Sequence, residues 1–188
     1  MVIAFEGIDG CGKDTQIKLL SEYLTSKNIK NIIVNSCSSW ILSKIIRDKL
    51  KCSINKKQMA GLFIAELHEH TDHIKEAIKE GNVILLNRWI YSTMAYNSTS
   101  IKEMDAIRIL SNTDITVDHV IYLDVPLQVA LDRVSVRSED KDVYENRENL
   151  TEVISYYNYM KKQLRFTVVD GNRDKDLVAK DIRKFLEF

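Results

Sequence analysis

The chain has 188 residues, 45% of them hydrophobic, and its 27 Lys and Arg residues balance 27 Asp and Glu residues, which suits one globular domain over residues 1–188. The zero formal charge and a pI near 6.9 argue against a broad basic surface for a nucleic-acid polymer, and no apolar run approaches the length of a membrane span. The three cysteines have no C-x-x-C spacing, so we expect reduced thiols and a cytoplasmic protein.

Apolar runs rich in Ile and Val alternate with longer helical patterns along the chain, which is typical of a parallel sheet with crossover helices. The predicted strands are, in chain order, VIAFE, NIIVN, NVILLN, HVIYLD and FTVVD. Their near-continuous apolarity predicts burial on both faces. The sequence therefore predicts a three-layer α/β fold in which helices flank a five-stranded parallel sheet.

Two long helical patterns lie between these strands. In KDTQIKLLSEYLTSK, residues 13–27, the apolar positions Ile17, Leu20 and Leu24 fall on one face. The longer pattern covers residues 54–80, and its predicted buried face consists of Met59, Phe63, Leu67, His70, Ile74 and Ile78. Gly81 follows it as a stop signal before the third strand.

The turn between the first strand and the first helix, GIDGCGK, has the composition of a phosphate-binding loop. Gly7, Gly10 and Gly12 lie in it although the chain has only 6 glycines, and glycine lets backbone N–H groups converge on an anion at a helix N-terminus. Lys13 supplies a charge for the phosphates, so the turn matches the G-x-x-x-x-G-K part of the P-loop motif. An ordinary strand–helix turn is the alternative interpretation. The spacing does not fit the G-x-G-x-x-G motif of dinucleotide-binding enzymes.

Asp14 occupies the position at which the P-loop motif has Ser or Thr, whose hydroxyl binds Mg²⁺. Three interpretations are open. An acidic residue in the first helical turn is favourable by roughly 0.3–1 kcal/mol through the helix dipole. A carboxylate about 4 Å from a phosphate charge would instead be repelled by about 4 kcal/mol at an effective dielectric of about 20. Ligation of Mg²⁺ by Asp14 would turn that repulsion into attraction, and this third interpretation suits a nucleotide site.

Four segments, FEGIDGCGKDTQ, LFIAELHEH, NRWIYSTMAYN and VIYLDVPLQVALDR, resemble in order and spacing the segments of thymidylate kinases. The resemblance extends to the terminal VVDGNRDKDLVAKDI and so covers essentially the whole chain. It implies a P-loop NTPase-type fold with a short lid, here about residues 137–147. It also implies a nucleoside monophosphate kinase that transfers the γ-phosphoryl group of ATP to dTMP with Mg²⁺, usually as a homodimer. Its partners would be small nucleotides.

The resemblance assigns the phosphate loop to ATP. The residues that it implies there are Gly7, Ile8, Asp9, Gly10, Cys11, Gly12, Lys13, Asp14 and Thr15. Lys13 and Arg88 would act in catalysis, together with an arginine that family members supply from the loop or from the lid. Because this chain has Gly10 at the loop position, Arg133, Arg137 and Arg147 are the candidates, and we favour Arg137.

The resemblance also implies an acceptor site. Asp9 would accept a hydrogen bond from the 3′-hydroxyl of the acceptor sugar, Arg88 would bind the acceptor phosphate, and Phe63 would stack on the base. The residues lining the pocket would be Ser92, Tyr96 and Asn97. Phe63 also fits a purely structural place on an apolar helix face. Arg88 also fits a structural ion pair, although it directly follows a buried strand, where ligands of α/β folds bind.

Two departures from the family pattern concern the metal. The family has Asp directly before the strand-end arginine, where this chain has Asn87, and Asp14 replaces the P-loop hydroxyl. We hypothesise that the two changes compensate, with Asp14 supplying negative charge beside Mg²⁺ and Asn87 a neutral ligand or a hydrogen bond. Asp14→Ser alone would then lose activity, and adding Asn87→Asp would restore part of it.

Another departure concerns specificity. Leu67 stands where the family has an arginine that reaches the base carbonyl, and a pocket without a polar partner discriminates less sharply between substrates. A kinase of another monophosphate, or of a nucleoside, is therefore an alternative. A catalytically weak nucleotide-binding protein, whose Asp14 and Asn87 reflect lost metal chemistry, is a second alternative, and the retained acceptor-side residues argue against it.

Overall fold

A computed structural model describes residues 1–36, 41–50, 55–137 and 146–188, with the backbone alone at positions 41 and 137. Five parallel strands form a sheet in the order β2-β3-β1-β4-β5. They are β1 Val2–Glu6, β2 Asn31–Asn35, β3 Val83–Asn87, β4 His119–Asp124 and β5 Thr167–Asp170. The predicted strands are confirmed, and only the third and the fifth begin one residue later than the apolar run.

Eight helices lie in the described ranges. They are α1 Lys13–Ser26, α2 Ile41–Leu50, α3 Lys56–Lys79, α4 Ile90–Asn97, α5 Ile101–Leu110, α6 Leu127–Arg137, α7 Arg147–Gln163 and α8 Lys175–Phe185. Among the helices of these ranges, none combines the length and the apolarity that a membrane crossing needs. Helices α1 and α3 confirm the two predicted helices. Gly81, with a φ of +82°, directly follows Glu80, the C-cap residue of α3.

Helices cover both faces of the sheet because the side chains of its central strands alternate between two apolar clusters. Ile3 and Phe5 of β1 belong to one cluster, together with the predicted apolar face of α1. Val2 and Ala4 point to the opposite face and belong to a second cluster, together with Leu67 of α3. The result is the predicted three-layer α/β architecture.

Burial decreases from the centre of the sheet to its edges. Every residue of β1 is buried, and β3 and β4 are buried along most of their length. In the edge strands only Val34 of β2 and Val169 of β5 are buried. The prediction of burial on both faces is therefore wrong for β2 and β5, because an edge strand has a neighbouring strand on one side only.

Helix α3 buries most of its predicted face. Met59 and Ile74 are fully buried and Phe63 is partly buried, but Ile78 is 38% exposed. At about 3.6 residues per turn, Ala77 rather than Ile78 lies a whole number of turns from Met59, and Ala77 is buried. The predicted buried face of α3 is therefore wrong at its last position, where Ala77 and not Ile78 is buried.

Candidate functional site

The predicted phosphate loop connects β1 to α1 and closes around the ammonium group of Lys13. Lys13 is buried, and its Nζ donates hydrogen bonds to the carbonyl oxygens of Gly7 at 2.9 Å and Ile8 at 3.0 Å. Gly12 is the N-cap residue of α1 with a φ of 100°, a conformation that glycine adopts without a steric penalty. The loop therefore brings backbone N–H groups, a helix N-terminus and a lysine to one place, which is what a phosphate site needs.

Gly10 holds the loop close against α6. A Cβ atom at this position would lie 2.3 Å from the carbonyl oxygen of Ala130, and the φ of Gly10 is +80°. Arg133 of the same helix donates from Nη1 to the carbonyl oxygen of Gly10 at 3.3 Å. No side chain fits at position 10 while α6 keeps this place. An arginine supplied from the loop therefore has no room here.

The structure separates the three arginines that were considered for that role. Arg133 is partly buried and contacts the phosphate loop. Arg147 instead donates a hydrogen bond to Oε1 of Gln128. The side chain of Arg137 and most of the predicted lid, residues 137–147, lie outside the described residues. Arg137 stays a prediction, and Arg133 is the described α6 arginine that reaches the loop.

Asp9, Arg88 and Tyr96 form one hydrogen-bonded network beside the loop. Arg88 Nη2 donates to Asp9 Oδ1 at 2.5 Å and to the Tyr96 hydroxyl at 3.3 Å. The Tyr96 hydroxyl donates to Asp9 Oδ2 at 2.7 Å. Arg88 Nη1 donates to Gly7 O and to Ser92 Oγ, both at 3.1 Å. The structure thus brings the side chains of four predicted site residues together with the backbone of a fifth, Gly7, and Arg88 also has the ion pair that its structural interpretation required.

The attraction between Asp9 and Arg88 keeps both side chains ionised. Burial alone would raise the pKa of the Asp9 carboxyl, but the charges of Arg88 and Lys13 outweigh it and lower that pKa to about 2. Burial also acts to lower the pKa of Arg88, and Asp9 more than compensates, so that this pKa is raised well above its usual value. Asp9 is therefore an acceptor of hydrogen bonds and Arg88 a charged donor across the physiological pH range.

Three cavities lie next to one another around Arg88 and the phosphate loop, and neighbouring cavities share lining residues. The first, of about 220 Å³, and the second, of about 110 Å³, have Asp9, Ser36 and Arg88 in common. The second and the third, of about 600 Å³, have Gly10 and Gly12 of the phosphate loop in common. A ligand system that extends from the first cavity to the third would pass Arg88 and then the loop.

The first cavity contains the predicted acceptor residues. Its lining includes Phe63, Ser92, Tyr96 and Asn97, together with the apolar side chains of Leu50, Leu67 and Trp89. Phe63 is partly buried against the core and also borders the cavity, which is consistent with both interpretations made from the sequence. Its role towards a base stays a prediction. Leu67 is buried in the second apolar cluster, and position 67 therefore gives the cavity no charged group.

Two buried carboxylates near this cavity are functional candidates that the sequence analysis missed. Glu66 lines the cavity and accepts hydrogen bonds from Ser36 Oγ at 2.8 Å and Ser43 Oγ at 2.6 Å. Glu6 ends β1, is fully buried and contacts Ser92. A charged residue closing an apolar strand is a usable sequence signal for Glu6. Glu66 carries no comparable signal, because acidic residues are common on long helices.

The second cavity is the expected metal position, because Lys13, Asp14 and Asn87 lie in its lining. Asn87 Nδ2 donates to Asp14 Oδ1 at 2.6 Å and to Asn35 Oδ1 at 3.0 Å. One exposed carboxylate with neighbouring amides fits Mg²⁺, which proteins commonly hold through one or two carboxylates and the phosphates of a nucleotide. Within residues 1–36, 41–50, 55–137 and 146–188, no group of three or more His, Cys, Asp or Glu side chains could hold a metal. Nucleotide phosphates would therefore complete the shell.

The third cavity contains the far end of the phosphate loop. Cys11 and Thr15, both predicted to contact ATP, lie in its lining together with Arg133 and Arg173. Cys11 is buried, and its backbone N–H donates to the carbonyl oxygen of Ile8 at 3.2 Å, which closes the loop. This is the largest of the three cavities, and its basic side chains suit a ligand with several phosphates.

Comparison with known proteins gives consistent matches over nearly the whole chain. A family model described as "Thymidylate kinase" matches residues 5–182. A thymidylate kinase of Thermosipho melanesiensis is 32% identical over 194 residues, which cover 100% of this chain and 98% of that protein. A thymidylate kinase of Fervidobacterium nodosum is 33% identical, with coverages of 98% and 97%. A probable thymidylate kinase of Methanocaldococcus jannaschii is 35% identical over 175 residues, with coverages of 92% and 88%.

Proposed function

This chain belongs to the thymidylate kinase family, and we propose that it transfers the γ-phosphoryl group of ATP to dTMP, giving dTDP and ADP. The series of three cavities carries this proposal, because it offers a place for each of two nucleotides with the phosphates between them. The acceptor would occupy the first cavity and ATP the third. The reacting phosphates would then meet in the second cavity, beside Lys13 and Arg88.

Lys13 and the phosphate loop would bind the donor phosphates. The ammonium group contacts two loop carbonyl oxygens and can exchange one of them for a phosphate oxygen. Phosphoryl transfer spreads negative charge over the oxygens of the transferred phosphoryl group, so catalysis depends on positioning and on fixed positive charge. A buried lysine held at the loop would meet both needs by exchanging a single hydrogen bond.

Arg88 would bind the acceptor phosphate from the wall that the first two cavities share. Its guanidinium is held by Asp9, Ser92 and Gly7 O, so little freedom remains to be lost when a phosphate binds. A guanidinium has five N–H donors and a full positive charge. Four of the donors are used by these contacts and by Tyr96, so a phosphate would take the remaining donor or replace one of the contacts. The same group would stabilise the charge that develops during transfer.

The nucleoside part of the acceptor would lie among the remaining residues of the first cavity. Phe63 borders that cavity, and its ring would stack on the base. Asp9 accepts from Arg88 and Tyr96, and its carboxylate has further lone pairs for a sugar hydroxyl. Since Leu67 contributes no charge, selection of the base would rest on the shape of the cavity and on its polar side chains.

Asp14 and Asn87 are the side chains that we propose for Mg²⁺. The bound ion supplies positive charge to the phosphates of ATP and orients them for transfer. The hydrogen bond between Asp14 and Asn87 holds the carboxylate at the second cavity. A catalytic arginine is expected from α6 or from the lid.

A coupled assay of ADP release tests the proposed function. The acceptors are dTMP, dUMP, dCMP, dAMP, dGMP, their ribose forms and thymidine, each with ATP and Mg²⁺. We expect the highest kcat/KM with dTMP, and loss of turnover in Lys13→Ala, which retains the acceptor cavity. A higher kcat/KM with another acceptor would refute the choice of dTMP. Binding of ATP without turnover on any acceptor would refute the kinase and indicate a nucleotide-binding protein.

The homodimer implied by the resemblance and the cytoplasmic location expected from the sequence stay predictions. Light scattering of the purified chain tests the first by its mass in solution. Fractionation of cells that express the chain at its natural level tests the second.

A further inference from the structure

Glu6 is a buried carboxylate that contacts the elements around Arg88 and has no part in the function proposed above. Its Oε1 accepts a hydrogen bond from the backbone N–H of Trp89 at 2.8 Å. Its Oε2 accepts from the Tyr157 hydroxyl at 2.7 Å and from the Ser92 hydroxyl. All of these partners donate, which is the pattern expected around an ionised carboxylate.

Arg88 has a backbone conformation that needs support from its neighbours. Its φ is +69°, in the left-handed region that residues with a side chain rarely adopt. Strand β1 holds the peptide groups on both sides. The Arg88 N–H donates to the carbonyl oxygen of Phe5 at 3.1 Å, and the Trp89 N–H donates to Glu6. Glu6 therefore helps to fix the turn that carries Arg88.

Glu6 also acts on the guanidinium of Arg88 through a single hydroxyl group. Arg88 Nη1 donates to Ser92 Oγ at 3.1 Å, and the same hydroxyl donates its proton to Glu6 Oε2. A serine hydroxyl has only one proton, so donation to Glu6 leaves its lone pairs to accept from Arg88. A carboxylate at position 6 therefore orients Ser92 as an acceptor for the guanidinium.

We propose that Glu6 is a positioning residue that holds Arg88 in the conformation that binds the acceptor phosphate; this inference rests on the proposed function. Burial raises the pKa of Glu6, and the hydrogen bonds from Ser92 and Tyr157 act against that change. A carboxylate is expensive to bury, and an apolar residue would fill the place at lower cost. The competing explanation is a structural tie between β1 and α7 through Tyr157.

Binding of dTMP and of thymidine, which lacks the phosphate, separates the two explanations. Glu6→Gln keeps the shape of the side chain, removes its charge and replaces one acceptor oxygen by an NH2 donor, which can no longer accept from Ser92 or from Trp89. We expect this change to raise the Kd of dTMP about tenfold, the size of one weakened charge-assisted hydrogen bond, and that of thymidine by less than about twofold. NMR titration measures both values. Asp124→Asn, in a residue that also ends a strand but pairs with Lys161, is the matched control and should change neither.

Each outcome decides between the explanations. Equal weakening of dTMP and thymidine in Glu6→Gln would assign a structural role and overturn the inference. A wild-type protein that prefers dTMP to thymidine, with the same preference in Glu6→Gln, would overturn the inference and leave the proposed function intact. A wild-type protein that does not bind dTMP would refute both.

A double-mutant cycle tests whether Glu6 acts through Arg88. In an Arg88→Ala background, adding Glu6→Gln should change the Kd of dTMP by less than about twofold, because the residue through which it acts is absent. A further tenfold rise in the Kd of dTMP would show that Glu6 acts independently of Arg88 and would overturn the inference. If Glu6→Gln does not fold, Glu6→Asp replaces it in both experiments, since it keeps the charge and moves the carboxylate away from Ser92 and the Trp89 N–H.

Discussion

Changing Asn87 to Asp tests whether Asp14 and Asn87 form a matched pair. Asn87 Nδ2 donates to Asp14 Oδ1 at 2.6 Å, and in Asn87→Asp an oxygen would replace this donor, so that two carboxylates face each other. Two unit charges about 4 Å apart repel by about 1 kcal/mol in water and about 4 kcal/mol at an effective dielectric of about 20. Because Asp14 is exposed, the lower figure applies. For a chain of this size it corresponds to a fall in Tm of about 2–4 °C.

Thermal unfolding under two conditions measures this repulsion and its reversal by a cation. In EDTA without nucleotide, we expect Asn87→Asp to have a lower Tm than the wild type. In ADP, addition of Mg²⁺ should raise the Tm of Asn87→Asp by more than that of the wild type, because two carboxylates rather than one would then be available to hold the ion. Asn82→Asp is the matched control: Asn82 Nδ2 lies 3.4 Å from Glu80 Oε2, so it creates a similar repulsion that Mg²⁺ and ADP should not relieve.

Turnover measurements on Asp14→Ser, alone and combined with Asn87→Asp, complete the test. Asp14→Ser should lose most of its activity, and the double variant Asp14→Ser, Asn87→Asp should regain part of it, because one carboxylate again faces the phosphates. Full activity of Asp14→Ser alone would refute the exchange between the two positions. Equal Tm values of Asn87→Asp and the wild type in EDTA would refute the electrostatic reasoning, whatever the activities are.

Further predictions concern the loop, α6 and the acidic limit of stability. Gly10→Ala should lower the free energy of unfolding by about 2–5 kcal/mol, because position 10 has a positive φ and a Cβ atom there would clash with α6. Gly61→Ala is the control: it lies in a helix with open space around it and should raise the free energy of unfolding by about 0.5–1 kcal/mol. Urea unfolding measures both values. Arg133→Ala should raise the KM of ATP about tenfold by loss of a charged contact, with Arg108→Ala unchanged. The pKa of Asp9 is lowered from 3.8 to about 2, so its ionised form should contribute about 2 kcal/mol to the free energy of unfolding above pH 3.8. This contribution should be lost as the pH falls towards 2. Acid unfolding measures the loss, which should be absent in Asp9→Asn.

The sheet could be predicted from the sequence because each strand is a short apolar run bounded by polar residues or turns. Helix α5 also has a readable start: Ser100 with Glu103 three residues later is a capping signal, and Ser100 Oγ accepts from the Glu103 N–H at 3.2 Å. Strand order was not readable, and the exposure of β2 and β5 follows from that order. A run of apolar residues has the same appearance at the edge of a sheet and at its centre.

The phosphate loop could be predicted because its chemistry is local, with glycines and a lysine in one turn. The contacts of Arg88 with Asp9 join residues 79 positions apart, and Glu6 contacts Tyr157 across 151 positions; only the folded chain brings such groups together. The contact of Arg133 with the loop was equally unreadable, because it depends on where α6 lies against the loop.

If the two nucleotides occupy the cavities as proposed, the shared walls would make the binding of one depend on the binding of the other. Asp9 and Arg88 border both the first and the second cavity, so a ligand that orders these side chains in one cavity changes the free energy of binding in the other. Such coupling is reciprocal: any factor by which ATP tightens the binding of dTMP is also the factor by which dTMP tightens the binding of ATP. The supply of monophosphate would then set how much ATP the protein holds, as well as how fast it is turned over.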